Sequence, residues 1–224
     1  LWFTDFNNNK IGSITPSGTV TEFSTPTVGS GPCEIALGPD GNLWFTEQNV
    51  GQIGKITTSG TITEYPIPSG VSSEPGAIVA GPDGNVWFLE FGTNIVAKST
   101  TSGVVTEYGP TASEPCELAV GPDGNLWYTD QFGNKIGRIT PSGTITEFTI
   151  PTANSYPIGI IAGPDGNLWF AEQNGNNIGQ ITPAGVITEF AVPTAAALPE
   201  GITVGPDGNL WFTEMGSNKI ARLQ

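Results

Sequence analysis

Gly38-Pro39-Asp40-Gly41-Asn42-Leu43-Trp44-Phe45-Thr46-Glu47 returns as Gly81 to Glu90, Gly121 to Asp130, Gly163 to Glu172 and Gly205 to Glu214. The chain opens inside a sixth copy, Leu1-Trp2-Phe3-Thr4-Asp5. The tryptophans Trp2, Trp44, Trp87, Trp127, Trp169 and Trp211 are spaced by 42, 43, 40, 42 and 42 residues. A fixed period of that size marks a repeat architecture, because one unit cannot bury its own apolar face and must stack on the next. Within the stretch, proline presets φ and Asp-Gly supplies a tight turn. Leu43, Trp44 and Phe45 are strand formers that pack neighbouring units together.

Working outward, Cys33 to Leu37 is a short, mostly apolar run and reads as a strand buried on both faces. After the motif come Gln52 to Thr57 and Thr61 to Tyr65. The latter alternates polar and apolar residues, as an outer strand with one wet face does. Four short strands per unit, with no helical periodicity, predict an all-β chain: a β-propeller of four-stranded blades about 42 residues long. The chain holds six blade units, the first lacking its inner strand and the last its outer strand. A fragment of a seven-bladed propeller is the alternative. The units fall at about 1–31, 32–74, 75–114, 115–156, 157–198 and 199–224 within a single domain, 1–224, with edges uncertain by a few residues.

The formal net charge is −14, from 21 acidic and 7 basic residues, and the sequence pI is near 4.1. Such a surface repels phosphate backbones and anionic membranes, which excludes nucleic acid as the expected partner. No apolar run approaches the roughly 20 residues that span a bilayer, so membrane insertion is not expected. Only 12% of residues are charged, with abundant Gly, Thr, Ser and Asn. That composition points to a secreted prokaryotic protein. A first residue of Leu1 reads as a processed or trimmed segment. Cys33 and Cys116 share one slot two blades apart, too far for the ~7 Å a disulfide spans, so two free thiols are predicted.

Sixteen of the acids recur at repeated positions: turn aspartates such as Asp40, strand ends such as Glu47, and outer-strand positions such as Glu64. These read as turn formers and solvated edge charges. The other five, Glu34, Glu74, Glu114, Glu117 and Glu200, enter or begin the inner strand and vary between blades. They are predicted to ring one mouth of a central channel. With Tyr156 in the corresponding loop of another blade, they are the candidate ligand-binding residues, suited to a small polar or cationic ligand or a carbohydrate. Glu74, Glu114 and Glu117 are the candidate metal ligands, for a hard cation such as Mg2+ or Ca2+. The seven basic residues all lie on the third strand, a register that pairs them with neighbouring strands.

The decapeptide, followed by Ile-Gly-Lys-Ile-Thr (53–57) and Thr-Ile-Thr-Glu-Tyr (61–65), resembles the repeat of the virginiamycin B lyase (streptogramin lyase) family and, more distantly, NHL-repeat propellers. The resemblance covers nearly the whole chain. It implies a seven-bladed parent that opens a cyclic depsipeptide by elimination, using a histidine base, acidic partners and Mg2+ near the channel. This chain contains no histidine. The slots after the loop proline hold Cys33, Gly76, Cys116, Ile158 and Glu200, so the family's base has no counterpart and no catalytic residue is assigned. The expected function is therefore an extracellular binding or scaffold propeller. A Mg-dependent carbon–oxygen lyase or carboxylate-based hydrolase is one alternative. Structural self-association through incomplete terminal blades is another.

Overall fold

The computed structural model describes residues 1–111 and 113–223; Ala112 and Gln224, inside the third and last predicted units, lie outside the described residues. Two compact units divide the chain, Leu1–Pro110 and Thr111–Gln224, with three antiparallel sheets in each.

In the first unit, β1 (Trp2–Asp5), β2 (Lys10–Ile14) and β3 (Val20–Ser24) form a three-stranded sheet. Two four-stranded sheets follow: β4 (Pro32–Leu37), β5 (Leu43–Glu47), β6 (Gln52–Ile56) and β7 (Ile62–Pro66), then β8 (Pro75–Ala80), β9 (Val86–Glu90), β10 (Ile95–Ser99) and β11 (Val105–Tyr108). The second unit begins with β12 (Pro115–Val120), β13 (Leu126–Asp130), β14 (Lys135–Ile139) and β15 (Ile145–Thr149). Its next sheet is β16 (Pro157–Ala162), β17 (Leu168–Glu172), β18 (Asn177–Ile181) and β19 (Ile187–Ala191). Its last is three-stranded: β20 (Pro199–Val204), β21 (Leu210–Glu214) and β22 (Lys219–Leu223). Every sheet runs in sequence order, the up-and-down blade of a β-propeller. The first blade lacks an inner strand and the last an outer one, as the repeat predicts.

Each decapeptide closes on itself. Asp40 Oδ1 accepts from the Asn42 amide (3.3 Å) and from the Trp44 indole N–H (3.0 Å). The indole lies against Gly38, where an added Cβ would come within 2.3 Å of the ring. Trp44 stacks on Tyr65 of the outer strand at 5.6 Å and 18°, and Lys55 Nζ sits 5.2 Å from the indole centroid. Lys98 and Trp87 repeat this arrangement, as do Arg138 and Trp127. The basic residues pair within their own blades, as their register implied: Lys55 and Lys98 pair with Asp40 and Asp83, Lys135 with Glu147, and Lys10 with Glu22, while Lys55 and Arg138 also donate to Thr101 O and Pro183 O of the next sheet. Hydrogen bonds from the indole, Asn85 and Lys98 hold the Asp83 carboxyl below its usual range against the opposing effect of burial.

The core lies between consecutive sheets. Trp44, Ile53 and Ile67 pack on Ile78, Val86, Phe88 and Ala97 in the first unit. Trp127, Ile136 and Ile150 pack on Ile160, Leu168, Phe170 and Ile181 in the second. One expectation is corrected here. The inner strand is not uniformly buried: β4, β12 and β20 are mostly half-buried, whereas β8 is enclosed over its first four residues. The second strand is the buried one, with β5, β9, β13 and β17 enclosed throughout, since it has a strand on each side.

The loop into strand β16 is held by one amide. Asn134 sits at φ 55°, a left-handed conformation that asparagine tolerates. Its Nδ2 donates to Ile150 O (3.2 Å) and Thr152 O (3.0 Å), and its Oδ1 accepts from the Ser155 amide (2.7 Å) and hydroxyl (2.9 Å). Asn134→Ala strands those groups and is expected to cost about 2–4 kcal/mol, from several lost hydrogen bonds at roughly 1 kcal/mol each plus backbone strain. Urea unfolding of the variant checks this, and Asn134→Asp should lose less because it retains the acceptor.

Candidate functional site

Two local devices place the predicted residues. The first is a left-handed residue immediately before the loop proline: Gly31, Glu74, Glu114, Tyr156 and Leu198, with φ of 44–61°. Residues before proline favour extended conformations, so this is strained backbone. It recurs in all five blades that have an inner strand and therefore belongs to the architecture. The second device is a bulge just after the proline, where the register shifts between Pro32 and Ile35, Pro115 and Leu118, Pro157 and Ile160, and Pro199 and Ile202. A bulge re-aims the side chains it carries. Glu34, Glu117 and Glu200 are bulge residues. A threonine one strand over steadies three of these bulges: Thr46 Oγ1 accepts from the Glu34 amide, Thr129 from Glu117 and Thr213 from Gly201, at 2.9–3.1 Å.

In the first unit, Glu34 is half-buried and accepts a hydrogen bond from the Ile78 amide, tying β4 to β8. Burial raises its carboxyl, and the Ile78 hydrogen bond opposes the rise. Glu74 is exposed beside Gln48, Asn49 and Val71, which line a cavity of about 350 Å3. In the second unit, Glu114 uses its carbonyl to accept from the Gln131 amide at 3.2 Å. Glu117 and Glu200 come together on one cavity of about 460 Å3, walled by Ile158, Gly159, Gly201, Thr213 and Met215. Tyr156 stands edge-on to exposed Phe132, with centroids 5.3 Å apart, over a cavity of about 230 Å3 rimmed by Gln131, Asn154 and Asn174.

The five carboxylates thus do different work, and the pair that shares a wall is Glu117 with Glu200. Among the described residues, no group of three or more His, Cys, Asp or Glu side chains converges to hold an ion. Neither cysteine is in a disulfide, as their spacing predicted. Burial, then the charge of Glu34, raises the Cys33 thiol and so keeps it from becoming a thiolate.

Sequence reasoning misjudged the acids that end the second strand. Glu47, Glu90 and Glu172 are not solvated edge charges but fully enclosed. Their strand is sandwiched by neighbours, and its last residue goes inside with the rest. It also missed Phe132 and Met215, which no repeat-level signal marks.

A model of the virginiamycin B lyase family matches residues 1–109 and 69–224, which together take in the whole chain. The chain belongs to the virginiamycin B lyase family. Its fold superposes on virginiamycin B lyase from Staphylococcus aureus with a TM-score of 0.93 at 44% identity, covering 100% of this chain and 76% of that one. The same lyase was also solved as a catalytically inactive histidine-to-alanine variant with quinupristin. A streptogramin B lyase structure matches with a TM-score of 0.90 at 38% identity, covering 100% of this chain and 78% of that one. A putative gluconolactonase, at 17% identity and a TM-score of 0.65, shares the fold alone. A search of the curated proteins gave no match.

Proposed function

We propose that this member of the virginiamycin B lyase family is an extracellular ligand-binding propeller. In this reading it holds a streptogramin-type cyclic peptide at the cavity of Glu117 and Glu200 without opening it. The observation that carries the reading is the family relation: 44% identity over the full chain to a lyase also solved with quinupristin. The cavity adds apolar walls, Ile158 and Met215, beside two carboxylates, the mixture that orients a small molecule. Withholding catalysis rests on chemistry: with no histidine in the 224 residues, the chain lacks the side chain best suited to proton abstraction near neutral pH. Composition supports the extracellular setting.

Calorimetric titration with quinupristin, with chromatography of the mixture afterwards, tests this. Saturable binding with intact ligand is expected. Glu117→Ala or Glu200→Ala should weaken binding about 10–100-fold, the size of one lost charged hydrogen bond. Ring-opened product would establish a lyase instead. Absent binding would remove the proposal.

A further inference from the structure

The blades carry an internal substitution series that no lyase activity explains. The last residue of the second strand faces the first residue of the third: Asp5 with Lys10, Glu47 with Gln52, Glu90 with Ile95, Asp130 with Lys135, Glu172 with Asn177, and Glu214 with Lys219. Three blades place a lysine there and three do not. In the two lysine-bearing blades that have an outer strand, the lysine neutralises its glutamate: Lys10 pairs with Glu22, and Lys135 with Glu147 at 2.7 Å. Where it is absent, the acid is glutamate and fully enclosed: Glu47, Glu90 and Glu172; Asp130 is as enclosed, but faces Lys135. Both carboxyl oxygens of Glu47, Oε1 of Glu90 and Oε1 of Glu172 have no hydrogen-bond partner. The nearby Ser30 hydroxyl donates to Thr25 at 2.9 Å.

Strand register puts a second carboxyl on the same face as each of these acids: Glu64, Glu107 and Glu189 lie across the third strand from Phe45, Phe88 and Phe170, two residues before Glu47, Glu90 and Glu172. Those outer glutamates act as acceptors. Glu64 takes the amide (2.9 Å) and hydroxyl (2.7 Å) of Thr27, Glu107 those of Ser69 (2.8 Å each), and Glu189 the amide of Thr152 (2.8 Å). Each thereby clamps the loop leaving the preceding sheet. The other groups facing the enclosed acids are polar and uncharged: Ser30 for Glu47, Thr93 and Ser69 for Glu90, and Asn177 and Ser155 for Glu172. Two adjoining carboxylates in such a place cannot both be ionised without a counter-charge.

We propose that in each lysine-free blade a proton takes the lysine's place: Glu47 shares one with Glu64, Glu90 with Glu107, and Glu172 with Glu189. The proton turns an orphaned oxygen of the inner acid into a donor to the outer carboxylate, which keeps accepting from its loop. Burial first, with the facing glutamate adding to it, pushes Glu47 and Glu172 up to about 8 and Glu90 to about 7. An unfolded glutamate titrates near ~4.3, so the folded chain binds more protons than the unfolded one between that pH and about 8. Stability is therefore greatest at the acid end of this window, falls as pH rises through 7–8, and levels off above. The turn aspartates Asp40, Asp83, Asp123 and Asp165 are held low and lose their contribution only below this window.

Infrared spectroscopy of the intact protein at pH 7 tests the assignment. A carboxylic-acid C=O band that survives in deuterated buffer is expected. Glu47→Gln should remove the contribution of one proton in three, and Gln52→Lys, which gives the second blade the lysine of its neighbours, should remove the same one. In thermal melts the wild type should lose Tm between pH 5 and 9, and Gln52→Lys should show a shallower decline. The Gln52→Lys arm keeps every acid and stands even if Glu47→Gln fails to fold. An absent acid band overturns the proposal. So does a Tm at pH 7–9 that rises with Na+, K+ or Ca2+ at constant ionic strength, which would put a metal cation in the lysine's place.

Discussion

Trp44→Ala is expected to cost about 3–5 kcal/mol, the range for removing a large buried aromatic side chain. Trp44 is fully enclosed and packs with Ile53, Ile67, Ile78, Val86 and Phe88. It is also where three other interactions meet: the 5.6 Å stack on Tyr65, the Lys55 ammonium over its ring, and the indole hydrogen bond to Asp40. Alanine would leave a cavity between two sheets, remove the surface on which Lys55 lies, and take away one of the donors that hold the turn carboxylate. For a chain of this size, Tm shifts by about 2–4 °C per kcal/mol, so a drop of about 10 °C is the expected reading. Trp44→Phe keeps the stack and should lose no more than about 1–2 kcal/mol, for the indole donor and part of the volume. A loss below 1 kcal/mol for the alanine variant would mean that the sheets re-pack over the gap.

Gly51→Ala is expected to cost about 2–4 kcal/mol, from left-handed strain of 1–2 kcal/mol plus overpacking of 1–3 kcal/mol. Gly51 has φ 63°, and an added Cβ would stand 1.9 Å from the carbonyl oxygen of Gly70 and 2.8 Å from the amide of Val71. Those neighbours are backbone, so no side-chain rotation relieves the contact. The other blades use asparagine here: Asn9, Asn94, Asn134, Asn176 and Asn218. In the second blade, a short 3-10 turn, Gly70–Ser73, fills the space their amides occupy. Gly124→Ala is the control. Its φ is 73°, but nothing lies within 4 Å of the new atom, so only the strain of about 1–2 kcal/mol applies. Chemical denaturation of the two variants side by side separates collision from strain. Equal losses would mean that Gly70 moves aside at no cost.

Much of this molecule is legible in one decapeptide. Pro-Asp-Gly-Asn fixes a turn and Leu-Trp-Phe a buried strand, by local sterics and side-chain size alone. Repetition at a constant interval then fixes the blade. The place of the basic residues was legible for the same reason, since strand register is a property of the sequence. The candidate site was less so. The sequence marked Glu34, Glu74, Glu114, Glu117 and Glu200 as departures from the repeat. It did not show that Glu34 would spend its carboxylate on the Ile78 amide, or that Glu117 and Glu200 would share a wall. Those outcomes depend on bulges and on contacts between strands far apart in the chain.

The sequence by itself determined the all-β class, the four-stranded unit and the absence of a histidine. Only the tertiary structure decided which acids are wet. Glu47 and Glu74 are the same residue type, yet one is enclosed and the other exposed. Ionisation of a carboxyl is set by the solvent and charges around it, and in this fold those neighbours come from adjoining strands and sheets. A strand's pattern states which side chains alternate. It does not state which end of the strand the neighbouring elements will cover.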